Sequence, residues 1–329
     1  MTETFRALRV DREGGGTRSS LVSLTLDDLT PGDVVVRAAY SSLNYKDALA
    51  VTGAGAILRR FPLVAGIDLA GHVVESADAR FKPSDPVLAC GCGLGETHDG
   101  GFSEVARVSA ACVEPIPDGL DPRTAMIIGT AGFTAALALE RLERNGQSPD
   151  LGPMLVTGAT GGVGSFAVAL ASRRGYEVHA LTGKAGARDY LESLGAAAIV
   201  DRHRLEKTTK PLERAAWGGG IDAVGGETLA WLLARTRPNG SVASIGLAGG
   251  AKLETTVMPF ILRGVSLIGV NSVHVDPALR ASLWRRLGAE WQPSDLERIV
   301  AREVSLDELP GACGELLDGK VVGRILVRI

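Results

Sequence analysis

A run of apolar residues that leads into a glycine-rich turn is the feature that most constrains how this chain folds. Residues 154–157 are Met-Leu-Val-Thr, glycines follow at positions 158, 161 and 164, and a helix-like segment occupies residues 165–174. Glycines let the backbone approach a pyrophosphate closely, and the helix start offers N–H groups and a positive dipole end to the anion. The spacing is GxxGxxG, and because the chain contains 42 glycines, an ordinary tight turn remains the alternative on pattern alone.

The residues after the next strand indicate which dinucleotide binds. Residues 176–181 have the pattern of a second strand, and a Rossmann domain holds the adenosine ribose at the carboxyl end of that strand. NAD enzymes usually carry Asp or Glu there, whereas this chain has Thr182, Gly183 and Lys184. These residues offer a hydroxyl, backbone amides and a cation to a 2′-phosphate, and Arg202 offers a second cation. We therefore expect NADPH; the alternative is that Lys184 is a solvated surface lysine.

The length and composition of the chain suit two globular domains. The 329 residues exceed one typical core of roughly 100–200 residues, and the hydrophobic content of 45% excludes a disordered chain. A net charge of −3 gives no general attraction to nucleic acid or to an anionic membrane. The first residues lack an apolar signal core, and no uninterrupted apolar run reaches the roughly 20 residues that span a bilayer. We expect a cytoplasmic protein with neither nucleic acid nor membrane as partner.

The order of the predicted elements indicates an α/β fold. Strand-like patterns dominate up to about residue 120, with alternation over residues 33–38 and 71–75. A long helix-compatible segment over 124–144 follows, and strands then alternate with helices, at residues 198–200, 221–224, 240–245 and 265–270. This predicts a doubly wound parallel sheet after a β-rich domain. A helix around residues 278–287 precedes a last strand over 320–327, which we expect to return to the first domain.

The four cysteines, at positions 90, 92, 112 and 313, show neither a disulfide framework nor paired CxxC spacing. We expect them to be reduced and mostly buried. Cys90 and Cys92 are the only pair that is close in sequence, and a single intervening residue is a poor fit to zinc motifs.

Several sequence blocks resemble the medium-chain dehydrogenases/reductases, specifically the quinone-oxidoreductase-like branch that contains the acrylyl-CoA reductases. They are residues 41–49, 66–71, 127–135 and 256–263, together with the glycine turn. The resemblance spans nearly the whole chain and implies a GroES-like, β-rich catalytic domain over residues 1–122 and a Rossmann NADPH-binding domain over 123–272. It further implies that residues 273–329 return to the catalytic domain, and that two chains form a homodimer through adjoining Rossmann sheets.

The chain departs from the zinc enzymes of this superfamily at the metal ligands. Zinc alcohol dehydrogenases have cysteine and Gly-His-Glu where this chain has Asn44 and the Gly-Ile-Asp of residues 66–68. The four-cysteine zinc lobe is missing, and five scattered histidines suggest no replacement, so we expect no metal. Because no Lewis acid would stabilise an alkoxide, reduction of an activated double bond is favoured over alcohol oxidation.

Asn44 and Tyr45 are the candidate catalytic residues. Hydride addition to the β-carbon of an enoyl thioester gives a delocalised enolate, to which Asn44 could donate an amide hydrogen bond. Tyr45 could position the nicotinamide or the thioester and relay a proton to the α-carbon, with water as the alternative donor. A half-buried packing tyrosine is the structural alternative. Lys46 and Asp47 are expected to form a local ion pair, and Asp68 to cap or brace the loop.

The resemblance also implies a set of cofactor contacts. They come from Tyr45, Thr160, Gly161, Gly162, Val163, Thr182, Gly183, Lys184, Arg202, Leu247, Ile261, Ser272 and Asp318. Asp318 is the weakest of these, because relatives often carry an amide there and a carboxylate binds an anionic cofactor less readily. Arg59, Arg60 and Arg324 could meet a phosphate of coenzyme A, or could be solvated side chains.

The sequence thus predicts an NADPH-dependent, metal-free enzyme that reduces acrylyl-CoA or a similar short 2-enoyl thioester to propionyl-CoA or the corresponding saturated thioester. The rival within the enzymes is an NADPH:quinone oxidoreductase, which would need no site for a coenzyme A phosphate. An alternative of another class is a sensor protein that binds NADPH without turnover.

Overall fold

The computed structural model of the protein describes residues 4–205 and 210–329, and in it the chain divides into two compact units. The first unit contains the residues up to Thr130 together with Val273–Glu290 and Ile299–Ile329. The second contains Ala131–Ser272 and Trp291–Arg298. Each unit has its own sheets and its own hydrophobic core.

Strands and helices are numbered here in chain order over the described residues. The strands are β1 (Phe5–Glu13), β2 (Gly16–Leu24), β3 (Val34–Leu43), β4 (Leu63–Val64), β5 (Asp68–Ser76), β6 (Pro86–Cys90), β7 (Val105–Val108), β8 (Val113–Pro115), β9 (Met154–Thr157), β10 (Val178–Thr182), β11 (Ala196–Asp201), β12 (Trp217–Asp222), β13 (Thr236–Ser244), β14 (Ser266–Gly269), β15 (Val300–Val304) and β16 (Arg324–Arg328). The helices are α1 (Tyr45–Thr52), α2 (Pro122–Arg144), α3 (Gly162–Arg173), α4 (Arg188–Ser193), α5 (Gly226–Arg235), α6 (Met258–Arg263), α7 (Pro277–Leu287) and α8 (Leu309–Leu317).

The first unit is built mainly from β-sheet. A seven-stranded sheet has the order β15-β16-β3-β5-β6-β8, with β7 also paired to β3, and a three-stranded sheet has the order β2-β1-β4. β3 pairs antiparallel with β5 and with β16, so a strand from the end of the chain lies beside one from its beginning. Fully buried residues such as Leu8, Leu63 and Phe102 fill the core under α1 and α8.

The second unit is a six-stranded, all-parallel sheet with the order β11-β10-β9-β12-β13-β14. The order reverses between β9 and β12, the position at which doubly wound sheets bind ligands. β9 is buried along its whole length, as expected of a central parallel strand. The predicted Rossmann fold with a β-rich companion domain is therefore confirmed.

Helix α2 is long and apolar, and its backbone breaks at Gly129 (φ 46°, ψ −158°). Among the described residues it is the one helix that could cross a membrane by length and composition, but 83% of its apolar window is buried inside the protein. Such burial is what a core helix shows, because its apolar face already has protein neighbours.

Two elements begin at other residues than predicted, and glycines explain both differences. α3 begins at Gly162 and not at residue 165. Gly161 has an extended backbone (φ −80°, ψ 172°) and is the N-cap residue of the helix. β16 begins at Arg324 and not at residue 320, because Gly319 and Gly323 take left-handed φ values of 70° and 86°, which end extended structure.

Candidate active site

The glycine turn joins β9 to α3 in the second unit. Gly158 follows β9 with a left-handed φ of 60°, and a Cβ on Gly164 would lie 2.2 Å from the carbonyl oxygen of Gly158. Because Gly161 starts the helix, the N–H groups of the first turn of α3 lie at this turn without helical acceptors. Gly161, Gly162 and Val163 are half-buried and Thr160 is buried. The turn has the geometry that binds a pyrophosphate.

Asp222, at the end of β12, braces this turn from the neighbouring strand. The Thr157 hydroxyl donates to its carboxylate at 2.6 Å, and the Gly225 N–H donates at 2.8 Å. Asp222 is fully buried, and burial raises the pKa of its carboxyl against the lowering by these donors. Sequence analysis missed Asp222, although a polar residue at the end of a buried strand is the usual signal.

The end of β10 collects a hydroxyl and two cations. The Thr182 hydroxyl accepts the Lys184 N–H at 3.1 Å, and a Cβ on Gly183 would lie 2.8 Å from Nε of Arg202. The glycine at 183 therefore lets the Arg202 guanidinium approach the backbone. Lys184 is half-buried, and burial lowers the pKa of its ammonium. The backbone at Gly183 thus lies beside the Arg202 guanidinium, and the binding of a 2′-phosphate by Thr182, Lys184 and Arg202 stays a prediction.

A cavity of about 700 Å³ opens at this strand end. Its lining includes Lys184 and four basic residues that sequence analysis missed, Arg188, His203, Arg204 and Arg235. Arg188 pairs with Glu192 on its own helix, and His203 contacts the Gly183 carbonyl oxygen at 3.2 Å. For Arg188, His203 and Arg204 the only signal was their nearness in sequence to Lys184 and Arg202.

The residues predicted for the nicotinamide side lie in the later part of the second unit. Leu247 follows β13 and is 59% exposed, and Ile261 lies on α6 and is 70% exposed. Ser272 follows β14 and is half-buried. Leu247 and Ile261 thus expose apolar surface, and their contact with the nicotinamide stays a prediction.

Asn44 and Tyr45 start helix α1 in the first unit. Asn44 is the N-cap, and the Asp47 carboxylate accepts both its backbone N–H at 2.9 Å and its amide Nδ2 at 3.2 Å. Tyr45 is the first helical residue and 42% of it is exposed. The predicted Lys46–Asp47 ion pair is wrong: Lys46 Nζ pairs with Glu96 at 2.8 Å, and Asp47 is buried.

Asp68 is the centre of a buried polar network beneath the start of α1. Its carboxylate accepts the Ser42 hydroxyl at 2.6 Å, Nδ2 of Asn44 at 2.8 Å and the backbone N–H of Thr130 at 2.9 Å, and it also accepts the Thr130 hydroxyl. Asp68 has no exposed surface. Asp68 therefore braces the loop, which is one of the two roles predicted for it.

Arg324 supplies the positive charge of this network. Its guanidinium donates to Oδ1 of Asn44 at 2.8 Å and to the Ser42 hydroxyl, and lies 3.8 Å from the Asp68 carboxylate. Burial lowers the pKa of Arg324, whereas Asp68 and Asp47 raise it. Because Arg324 is 3% exposed, the prediction that it could meet a coenzyme A phosphate is wrong.

Asp47 brings a second carboxylate into contact with the same network. The Ile67 N–H donates to it at 2.9 Å, in addition to the two donors from Asn44. Burial and the charge of Asp68 nevertheless raise the pKa of Asp47 to about 7. Two carboxyls are therefore buried close together, and Asp47 holds its proton up to near neutral pH.

Sequence analysis did not identify three residues of this network as members of a site. They are Ser42, Thr130 and Gly129. A Cβ on Gly129 would lie 2.7 Å from the Asp68 carboxylate, the Arg324 guanidinium and the Ser42 hydroxyl. Asp318, the weakest of the predicted cofactor contacts, ends α8 and pairs with Lys320 at 2.7 Å.

The residues at the start of α1 do not fit a zinc ion. The side chain of Ile67 has no ligand atom, and the amide of Asn44 is bonded to Asp68, Asp47 and Arg324. The Arg324 guanidinium beside Asp68 would repel a divalent cation. Within residues 4–205 and 210–329, no three His, Cys, Asp or Glu side chains form a group that could hold a metal.

Two family models match the chain in the same order as its two units. The alcohol dehydrogenase GroES-like domain matches residues 30–118, and the zinc-binding dehydrogenase domain matches residues 162–287. The chain is 47% identical over 328 residues to the acrylyl-CoA reductase AcuI of Ruegeria pomeroyi, with 99% of both chains covered.

Solved structures of two further relatives share the fold over their full length. The yhdH oxidoreductase of Salmonella enterica, in complex with NADP, is 47% identical with a TM-score of 0.95, and the match covers 98% of this chain and 99% of that one. The Bacillus subtilis protein yhfP, with NAD bound, is 45% identical with a TM-score of 0.96 over 100% of both chains. The latter carries the name putative quinone oxidoreductase.

The raised pKa of Asp47 makes the stability of the protein depend on pH. An unfolded Asp ionises near pH 3.9, whereas folded Asp47 ionises near pH 7, so between these values the folded protein holds a proton that the unfolded chain has lost. The free energy of unfolding should therefore fall as the pH rises from about 4 to about 7. Denaturant titrations of the wild type and of Asp47→Asn across this range give the free energy of unfolding at each pH. The effect of Asp47 is the difference between the two pH profiles. Parallel profiles would contradict it; the exposed Asp189→Asn serves as the control, and its profile should parallel the wild type.

Proposed function

Because this chain belongs to the medium-chain dehydrogenase/reductase superfamily, in its acrylyl-CoA reductase branch, we propose that it uses NADPH to reduce the α,β double bond of acrylyl-CoA or a similar short 2-enoyl thioester. The product is propionyl-CoA or the corresponding saturated thioester. The observation that carries this proposal is the 47% identity to an acrylyl-CoA reductase over 99% of both chains.

The second unit supports NADPH as the cofactor. The glycine turn and the start of α3 would hold the pyrophosphate through backbone N–H groups. Thr182, Lys184 and Arg202 would bind the 2′-phosphate, because a hydroxyl and two cations replace the carboxylate that NAD enzymes use for the ribose. Leu247, Ile261 and Ser272 would line the nicotinamide side.

The first unit supports a reaction without a metal. Bound NADPH supplies the hydride to the β-carbon of the substrate, and the charge that develops on the thioester oxygen is delocalised as an enolate. A hydrogen-bond donor can stabilise an enolate oxygen, so no metal is required. Tyr45, which is 42% exposed, carries a hydroxyl that would serve as this donor.

Asn44 has a different part in this proposal. Both N–H groups of its amide are used by Ser42, Asp47 and Asp68, and its oxygen accepts from Arg324. Since these bonds hold Asn44 at the N-cap of α1, it would position Tyr45, and its own contact with substrate stays a prediction. The proton for the α-carbon would come from the Tyr45 hydroxyl or from water.

A steady-state assay tests the substrate, with the loss of NADPH absorbance followed for acrylyl-CoA and for benzoquinone. We expect saturable oxidation of NADPH with acrylyl-CoA at a higher kcat/KM than with the quinone. Tyr45→Phe should lower kcat/KM for acrylyl-CoA by about tenfold to a hundredfold, because a donor to the developing charge is lost. Tyr40→Phe, on β3, is the matched control and should leave it unchanged.

Each contrary result of this assay has its own meaning. A preference for benzoquinone would move the function to an NADPH:quinone oxidoreductase, the activity for which the B. subtilis relative is named. Tight binding of NADPH without oxidation by either acceptor would favour a sensor protein.

Lys184→Ala tests the choice of cofactor separately. Removing a charge-assisted contact to the 2′-phosphate costs about 1.5–3 kcal/mol, so the KM for NADPH should rise by about tenfold to a hundredfold. The KM for NADH should change by less than about twofold, since NADH has no 2′-phosphate. Lys252→Ala, at an exposed lysine of the same unit that pairs with Glu254, is the control. Equal effects on the two cofactors would remove Lys184 from the site.

We also propose that the protein is a homodimer, in which the edge strands β14 of two chains meet. β14 is the last strand of the parallel sheet and carries the exposed Leu267, and the segment before it carries the exposed Val257 and Leu262. Such an edge is usually covered in natural proteins.

Light scattering should give twice the chain mass of 34.2 kDa, and Leu262→Glu should shift the measured mass toward that of the monomer. Ser23→Glu, at an exposed position of β2, should not, and a monomeric wild type would refute the proposal.

A cytoplasmic location is part of the same proposal. The four cysteines are all free thiols, which persist in a reducing compartment. Cell fractionation would place the protein with a cytoplasmic marker, and its recovery with an extracellular or membrane fraction would contradict this.

A further inference from the structure

Strand pairing in the first unit brings Cys112 to the end of β6. Ala89 on β6 pairs with Val113 on β8 in an antiparallel register. Cys90 follows Ala89 and Cys112 precedes Val113, so Cys112 lies where the chain leaves β6. The sequence pointed to Cys90 and Cys92 as the close pair, but the sheet register brings Cys112 to the same place.

The loop after β6 turns Cys92 toward Cys112. Cys92 has a left-handed φ of 54°, rare for a residue with a side chain, and lies between Gly91 and Gly93 with φ values of 72° and 86°. In this conformation the Cys112 thiol donates a hydrogen bond to the Cys92 sulfur. Both thiols are half-exposed, whereas Cys90 and Cys313 are buried.

The charges around the pair favour a reactive thiolate at Cys92. The Arg280 guanidinium is held near the loop by bonds to the carbonyl oxygens of Cys90 and Val273, each at 3.1 Å. The Cys112 thiol and Arg280 lower the pKa of Cys92 to about 7, against burial and the charge of Glu114. The pKa of Cys112 is raised, which keeps its proton available for the hydrogen bond.

We propose that Cys92 and Cys112 form a reversible disulfide on exposure to hydrogen peroxide. The Cys92 thiolate attacks one peroxide oxygen, the O–O bond breaks, and a sulfenic acid and hydroxide result. The sulfur of Cys112 then attacks the sulfenic sulfur; the S–S bond forms, the S–O bond breaks, and water leaves with the Cys112 proton. In total, two thiols lose two hydrogens and one peroxide becomes two waters. A dithiol reductant such as dithiothreitol reverses the modification.

Cys92 and Cys112 are not among the residues proposed to bind NADPH or substrate. The disulfide would tie the loop after β6 to the turn before β8. β6 itself is the strand that pairs with β5, and Asp68 lies opposite Cys90 in that pairing.

Peptide mapping of the wild-type protein tests the proposal directly. After treatment with hydrogen peroxide and alkylation of the remaining thiols, trypsin should release residues 81–107 linked to residues 108–123. Fragmentation at Gly91 distinguishes a link through Cys92 from one through Cys90. We expect the link at Cys92, its loss after dithiothreitol, and free thiols at Cys90 and Cys313. A link through Cys90, or unlinked peptides, would overturn the proposal.

Thiol reactivity gives a second measurement that needs no oxidant. At about pH 7, iodoacetamide should alkylate Cys92 about tenfold faster than any other cysteine of the chain, because its thiolate fraction is larger. Cys112→Ala should slow this alkylation and should abolish the link, whereas Cys90→Ala should retain the link. Equal alkylation of Cys92 and Cys90 would contradict the proposed reactivity.

Discussion

The buried carboxylate of Asp68 is the group on which the first unit depends most. It accepts hydrogen bonds from Ser42 at the end of β3, from Asn44 at the start of α1 and from Thr130 in α2, and it faces Arg324 at the start of β16. An unpaired carboxylate without exposed surface would cost several kcal/mol. The buried carboxylate is therefore stabilised only when all of these segments are folded against one another. The same network also positions Tyr45.

Glycines make this network and the dinucleotide turn sterically possible. At Gly129 a side chain would collide with the guanidinium, the carboxylate and a hydroxyl at once, and the left-handed φ there also interrupts α2. At Gly164 a side chain would collide with the backbone of the strand-to-helix turn. In both units a charged or polar group approaches the backbone only because Cβ is missing.

Local sequence patterns predicted the second unit well, because its signals are short-range. The apolar strand, the glycine turn and the residues after β10 lie within about thirty positions, and their chemistry follows from position in a parallel sheet. Arg324 shows the limit of this reasoning. Nothing near it in sequence reveals that it lies beside Asn44, 280 positions away, so it was assigned to solvent or substrate.

The error at Lys46 and the thiol contact that the sequence did not reveal have the same origin. Adjacent residues of opposite charge suggested a pair, but the first turn of α1 carries Asp47 inward and leaves Lys46 to Glu96. Cys90 and Cys92 are close in sequence, but the thiol that contacts Cys92 is that of Cys112, in the turn before β8. Tertiary contacts decide these positions, and a single sequence does not encode them in any local pattern.

The occupation of the metal position by Asn44, Asp68 and Arg324 constrains how such a chain can change during evolution. Cysteine at position 44 would remove the amide that bridges Asp68 and Arg324, and histidine at position 67 would gain nothing while the guanidinium occupies the site. Each single step toward a zinc site therefore loses stability before any ligand set exists. A zinc site would therefore require several substitutions at once, and the buried ion network opposes each of them taken singly.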